Sequence, residues 1–196
     1  MIATRIKPAR TPKKWKDRRW TFEELAAEVP ESNVPTELWD GELIMSPCSS
    51  WYHQQIVDRF HDFLKAWVRR RHLGETVTAP MDMVLTPTRT TQPDALYVSR
   101  ERLGSIDKRL MGPADLVAEV ISPDSRRGDR IDKRDLYEQH GVREYWQLDP
   151  EAKTVEVLFL DSGEYRLVGR WHPGELAQSR LLKGFEAPVS ALFEGA

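Results

Sequence analysis

Two rhythms of apolar and polar positions run along the chain. Tyr52, Ile56, Phe60, Phe63, Leu64 and Trp67 recur three or four residues apart, the spacing of one helix face. Ser49 or Ser50 can cap that helix, which the pattern extends to about His72 and closes at Gly74. A shorter helix begins at Trp20, with Thr21 and Glu24 placed as a capping box. A third runs from about Asp129 to His140 and stops at Gly141. Elsewhere the apolar runs are short and end in turn residues, as strands do. Glu37 to Met45 reads as a hairpin over Asp40-Gly41. Thr76 to Thr86 reads as one strand with Pro80 at a bulge or edge. Gln92 to Val98 and Glu144 to Leu148 are further strands, Ser99 to Leu103 a helical turn, and Thr154 to Arg170 a second hairpin across Asp161-Ser162-Gly163. Gly184 to Phe193 holds a short strand and a last helical turn.

One stretch follows neither rhythm. Leu116-Val117-Ala118-Glu119-Val120-Ile121 is apolar on both faces, as a strand covered on both sides must be. Glu119 alone interrupts it. A carboxylate there is costly unless it is paired or binds a cation. Ser122-Pro123 ends the run, so Glu119 falls near the C-terminal end of its strand, where ligands gather in open α/β sheets. The strand–helix–strand order from Leu116 to Leu148 implies a right-handed crossover.

Charge adds a division of the chain. Residues 1–20 hold eight Lys and Arg against one acid. With the whole at −2, the rest carries −9. We therefore expect a basic, flexible arm at residues 1–19 and a single domain over 20–196, a length that suffices for a sizeable core. An acidic body is not the footprint of a protein that coats DNA, although the arm can reach phosphates. Cys48 is the only cysteine, which excludes an intrachain disulfide and a cysteine-based zinc site. No run approaches the roughly 20 apolar residues of a membrane span, and no leader pattern follows Met1. The expectation is a cytoplasmic protein without membrane contact.

The residues with chemistry to offer are Glu42, Asp94, Glu119 and Lys133. Carboxylates on neighbouring strands suit Mg²⁺ or Mn²⁺, which prefer oxygen ligands and keep several waters. The Val120 main-chain carbonyl is a further oxygen donor. A metal so held acidifies its water and offsets charge on a phosphate, and an ammonium such as Lys133 can orient that water or stabilise the transition state. Asp129, Lys133 and Tyr137 share a helix face at i, i+4 and i+8. Each residue also has an ordinary reading: Asp94 as turn chemistry, Glu42 as a surface strand residue, Lys133 as a partner of Asp129, His53 as a surface histidine.

In combination the motifs say more. Gln92-Pro93-Asp94, then Leu116 to Pro123, then Asp129, Lys133 and Tyr137, then Gly141-Val142-Arg143-Glu144-Tyr145-Trp146 with Asp149-Pro150 resemble the Uma2 family, also called DUF820, of restriction-endonuclease-like proteins. The Asp40-Gly41-Glu42-Leu43 turn and the His53-Gln54 pair resemble it too. The resemblance spans about residues 20 to 194. It implies a PD-(D/E)XK core, a mixed sheet with flanking helices, here followed by a C-terminal hairpin. Asp94 stands for that motif's first acid and Glu119 for its second. Ile121 stands where the general motif has lysine, and Lys133 from the following helix takes its place. The implied function is a Mg²⁺- or Mn²⁺-dependent endonuclease acting on DNA. Asp94, Glu119 and Val120 would bind metal, and Glu42 would complete the shell. Lys133 would serve the nucleophile, His53 the scissile phosphate or a proton, and Arg126, Arg127 and Arg130 the DNA backbone. Because double-strand cutting commonly needs two sites, a homodimer is one expected assembly. The alternative is a catalytically silent nucleic-acid- or protein-binding module on the same fold, which the acidic body favours.

Overall fold

The computed structural model describes residues 15, 18–29, 35–46, 49–121 and 127–195, the side chains of 127–132 excepted. Its elements in chain order are α1 (Phe22–Glu28), β1 (Thr36–Trp39), β2 (Glu42–Met45), α2 (Trp51–Arg71), β3 (Gly74–Thr78), β4 (Met83–Thr86), β5 (Arg89–Thr91) and β6 (Ala95–Ser99). A 3₁₀ turn (Arg100–Ser105), β7 (Leu110–Met111), β8 (Leu116–Val120), α3 (Arg127–His140) and β9 (Glu144–Asp149) follow. The chain closes with β10 (Thr154–Asp161), β11 (Glu164–Trp171), β12 (Leu176–Gln178), β13 (Glu186–Pro188) and α4 (Val189–Leu192).

The main sheet has the order β11-β10-β9-β8-β6-β3. β8 lies inside it, parallel to β9 and antiparallel to β6. Every residue of β8 is buried, as its apolar run requires. Leu116, Ala118 and Val120 face α2, where they pack with Ile56, Phe60, Leu64, Trp146 and Phe185. Val117 faces the opposite layer, with Leu136 and Tyr137 of α3 and Tyr145 of β9. Full burial of side chains of this size contributes about 1.5–3 kcal/mol each. Strand alternation puts Glu119 on the α3 side with Val117.

A second sheet, β2-β1-β5-β4-β7, lies against that layer through Met83 and Leu110. The segment expected as one strand over 76–86 is therefore two strands in two sheets. β3 pairs with β6, and beyond Pro80 the chain resumes as β4 beside β5 and β7. Pro80 lacks the donor a continuous ladder needs. Gly74 does not close α2 either. His72, at φ 54°, is the left-handed cap. Gly74 instead begins β3 at φ 152°, where a Cβ would lie 2.1 Å from the Val98 carbonyl oxygen, so glycine is needed for the approach of β3 to β6. The Asp40-Gly41 turn carries positive φ at both residues, the two-residue hairpin geometry expected of it; the second hairpin, expected across Asp161-Ser162-Gly163, also turns on two residues, Ser162-Gly163, because Asp161 pairs with Glu164. Among the described residues no helix is long and apolar enough to cross a membrane.

Candidate functional site

Glu119 carries the tightest polar cluster of the α3 layer. Its Oε1 accepts from the Lys133 ammonium at 3.0 Å and from the Tyr137 hydroxyl at 2.6 Å. Lys133 and Tyr137 are one helical turn apart on α3, so the i, i+4 spacing delivers both to one carboxylate. The crossover from β8 through α3 folds the helix back over the strand end, which spans the 14-residue step between Glu119 and Lys133.

Asp94 comes to the same place from the neighbouring strand. It directly precedes β6, and β6 pairs with β8 through Ala95 opposite Ala118. One step beyond that pair, the Asp94 carboxylate takes over the ladder and accepts the Val120 amide at 2.8 Å. His53, in the first turn of α2, reaches Asp94 Oδ2 with Nε2 at 3.3 Å. His53 Nδ1 is buried, without a hydrogen-bond partner among the described residues. The surface-histidine reading of His53 is thus set aside by its position.

The acid supplied by the N-terminal hairpin is Glu37, where Glu42 was expected. Glu37 Oε1 lies 3.3 Å from the Lys133 ammonium. It also accepts the Gln92 amide at 3.1 Å, and its Oε2 accepts the Trp39 indole N–H at 3.0 Å. Glu42 pairs across the hairpin with Trp39 at the turn end, two residues further along the same face. Its carboxylate is mostly exposed and pairs with Arg19 at 3.6 Å. Register decides between the two acids. Of the remaining expected residues, Arg126 lies outside the described residues, and so do the side chains of Arg127 and Arg130.

Sequence reasoning also passed over Gln92 and Tyr137 as site residues. The Gln92 side chain accepts the Thr36 amide at 3.3 Å and donates to Asp82 Oδ1 at 2.8 Å, while Asp82 is held by Arg109 at 3.0 Å. Gln92 thereby braces the second sheet, holding β1 beside the end of β5 and the start of β4. Tyr137 could have been found from its place one turn beyond Lys133. Glu37 carried a signal in the alternation of Thr36-Glu37-Leu38-Trp39, because Leu38 is wholly buried and Glu37 must face the other way.

The electrostatics follow from this crowding. Burial pushes the Glu119 carboxyl up to about 7; Lys133 opposes this, the charges of Asp94 and Glu37 add to it, and the Tyr137 hydrogen bond again opposes it. Lys133 is held well above its ordinary value: burial pulls it down, but Glu119 and Glu37 outweigh burial. Burial also lowers His53, yet Asp94 overcomes it and the net shift is upward. Two carboxylates, Glu119 and Glu37, thus meet one ammonium, while Asp94 pairs with His53. The hard oxygen donors available to a cation are Asp94, Glu119 and the Val120 carbonyl. Among the described residues no three His, Cys, Asp or Glu side chains form a ready cage. Mg²⁺ does not require one, since it takes one or two carboxylates and keeps its waters. The donor set fits such an ion.

The Uma2 family model, described as "Putative restriction endonuclease", matches residues 21–190. Among solved structures, the chain is similar to the crystal structure of "a putative nuclease belonging to DUF820" from Anabaena variabilis, with a TM-score of 0.75 and 19% identity. That match covers 88% of this chain and 97% of the other. The likeness shows a shared fold, a mixed α/β architecture. No curated protein matches the chain.

Proposed function

The chain belongs to the Uma2 family, and from that premise we propose that it hydrolyses phosphodiester bonds in DNA with the help of Mg²⁺ or Mn²⁺. The observation that carries the reading is Glu119: a carboxylate inside an apolar strand, gripped by Lys133 and Tyr137 and crowded by two further acids. Asp94, Glu119 and the Val120 carbonyl would hold the cation, which when bound acidifies water and offsets charge on the phosphate.

The residues divide the remaining work. Tyr137 and Lys133 both bond Oε1 of Glu119, so its other oxygen would be the one to help hold a cation. Lys133, kept protonated between Glu119 and Glu37, orients the attacking water and neutralises charge on the phosphate oxygens. Glu37 replaces Glu42 in this scheme as the acid that aims Lys133. His53 holds Asp94 in place from α2 and can pass a proton at the leaving side. In hydrolysis the water oxygen bonds to phosphorus, the ester P–O bond breaks, and the departing oxygen takes a proton.

The test is cutting of supercoiled, linear and single-stranded DNA by purified protein with Mg²⁺ and with Mn²⁺. Glu119→Ala and Lys133→Ala are expected to lose about a hundredfold or more, as is Glu37→Ala, whereas Glu42→Ala keeps its activity. Equal cutting by wild type and Glu119→Ala would overturn the assignment. Calorimetry adds an independent measurement: Mn²⁺ uptake that Asp94→Ala leaves unchanged would favour a binding module, the reading that the −9 body suggests.

A further inference from the structure

Glu37 divides its two oxygens between different partners. Oε1 accepts the Gln92 amide at 3.1 Å and lies 3.3 Å from the Lys133 ammonium. Oε2 accepts the Trp39 indole N–H at 3.0 Å and has no other donor among the described residues. Trp39 stands two residues beyond Glu37 on β1, so both side chains leave the same face of the strand. Leu38, between them, is buried the other way, toward Trp20 and Leu43. Trp39 and Glu37 thus share the face that meets Lys133.

The indole is itself held. The Arg89 guanidinium lies over its ring, 5.4 Å from the centroid. Arg89 is fixed in turn by two bonds to the Asp40 carboxylate, at 2.8 and 2.7 Å. Asp40, Arg89, Trp39, Glu37 and Lys133 make one line of contacts that ends at Glu119. Trp39 also packs against the apolar layer that includes Met83 and Tyr145. That packing accounts for a large ring at this position. It does not account for an N–H aimed at a carboxylate, since a ring without a donor packs as well. Without the indole, Oε2 has nothing to hold it, and the last torsion of a glutamate side chain is soft. Lys133 would keep Glu119 and lose the second carboxylate that sets its direction.

We propose that Trp39 is a positioning residue of the nuclease site: its indole N–H locks the Glu37 carboxylate so that Oε1 holds the Lys133 ammonium in place. The consequence for catalysis rests on the nuclease reading; the lock itself rests on the contacts of Glu37.

The experiment joins nuclear magnetic resonance of the indole N–H groups to steady-state cutting. The chain has seven tryptophans, and resonance assignment picks out the Trp39 signal, so this arm needs no Trp39 variant to fold. Glu37→Ala is expected to move that signal upfield, as loss of a carboxylate acceptor should. A signal left in place would overturn the lock. In cutting, Trp39→Phe keeps a ring and removes the donor. It is expected to lower kcat about tenfold with KM unchanged, the size of a modest misplacement of Lys133. In the Glu37→Ala background the same change is expected to cost nothing more, because the two residues act through one contact. Equal losses in both backgrounds would assign Trp39 to the core alone and overturn the proposal. A wild type that never cuts, with a Trp39 signal that Glu37→Ala moves, sinks the nuclease reading and upholds the lock. Cutting by wild type with an unmoved signal sinks the lock alone.

Discussion

Glu119 joins the stability of the molecule to its proposed chemistry. Its folded value of about 7 lies above its ordinary 4.5, so the native chain holds a proton that the unfolded chain has released. The stabilisation from that difference is fully present below pH 4.5 and is lost as pH rises through about 7. Glu119→Gln keeps an acceptor for Tyr137 and does not titrate. Urea titrations at several pH values should show wild-type stability falling relative to Glu119→Gln by roughly 2–3 kcal/mol between pH 4.5 and 8. Parallel curves would remove the claim that crowding and burial govern this carboxyl. The cause is burial first, with the charges of Asp94 and Glu37 adding to it.

At the scale of elements, α2 serves the core and the site at opposite ends of one requirement. Its apolar stripe fixes its rotation on the main sheet, and that rotation carries His53 to Asp94. The Ser50 hydroxyl accepts the amide of His53 itself, so the cap sets where the first turn begins. Ser50→Ala should cost about 1 kcal/mol, and Ser50→Gly only a few tenths, because glycine tolerates the cap backbone and leaves the amides open to water. Urea midpoints of the two variants check this. Equal losses would mean that the hydroxyl is not what holds the turn.

For the whole molecule, the decisive fact is that the site spans two sheets. Asp94 and Glu119 belong to the main sheet and Glu37 to the second, and Gln92, directly after β5, bonds within the second sheet to Thr36 of β1 and to Asp82 at the start of β4. Gln92→Ala removes both side-chain bonds. It should cost about 1–3 kcal/mol and speed amide exchange in β1, with cutting reduced at least about tenfold as Glu37 loses its aim at Lys133. Exchange in β1 and cutting both unchanged would show that Gln92 is not what places Glu37. The long-range placement of Glu37 also explains why the hairpin acid was misread. Glu37 and Glu42 share one face of one hairpin, and the choice between them depends on how that hairpin sits on a sheet more than fifty residues away in sequence.

Local chemistry was legible in the chain itself. The cap at Thr21, a cap at Ser49 or Ser50, the Asp40-Gly41 turn, the doubly buried strand and the odd carboxylate within it all follow from neighbours within a few residues, where sterics and hydrogen-bond geometry leave few choices. The tertiary structure alone decided which sheet each strand joins. It divided the 76–86 segment between two sheets, turned Gly74 from a presumed cap into a point of close approach, and moved the third acid from Glu42 to Glu37. Those outcomes depend on contacts between distant segments, whose free energy comes from burying surfaces against one another, and no local pattern records which surfaces will meet.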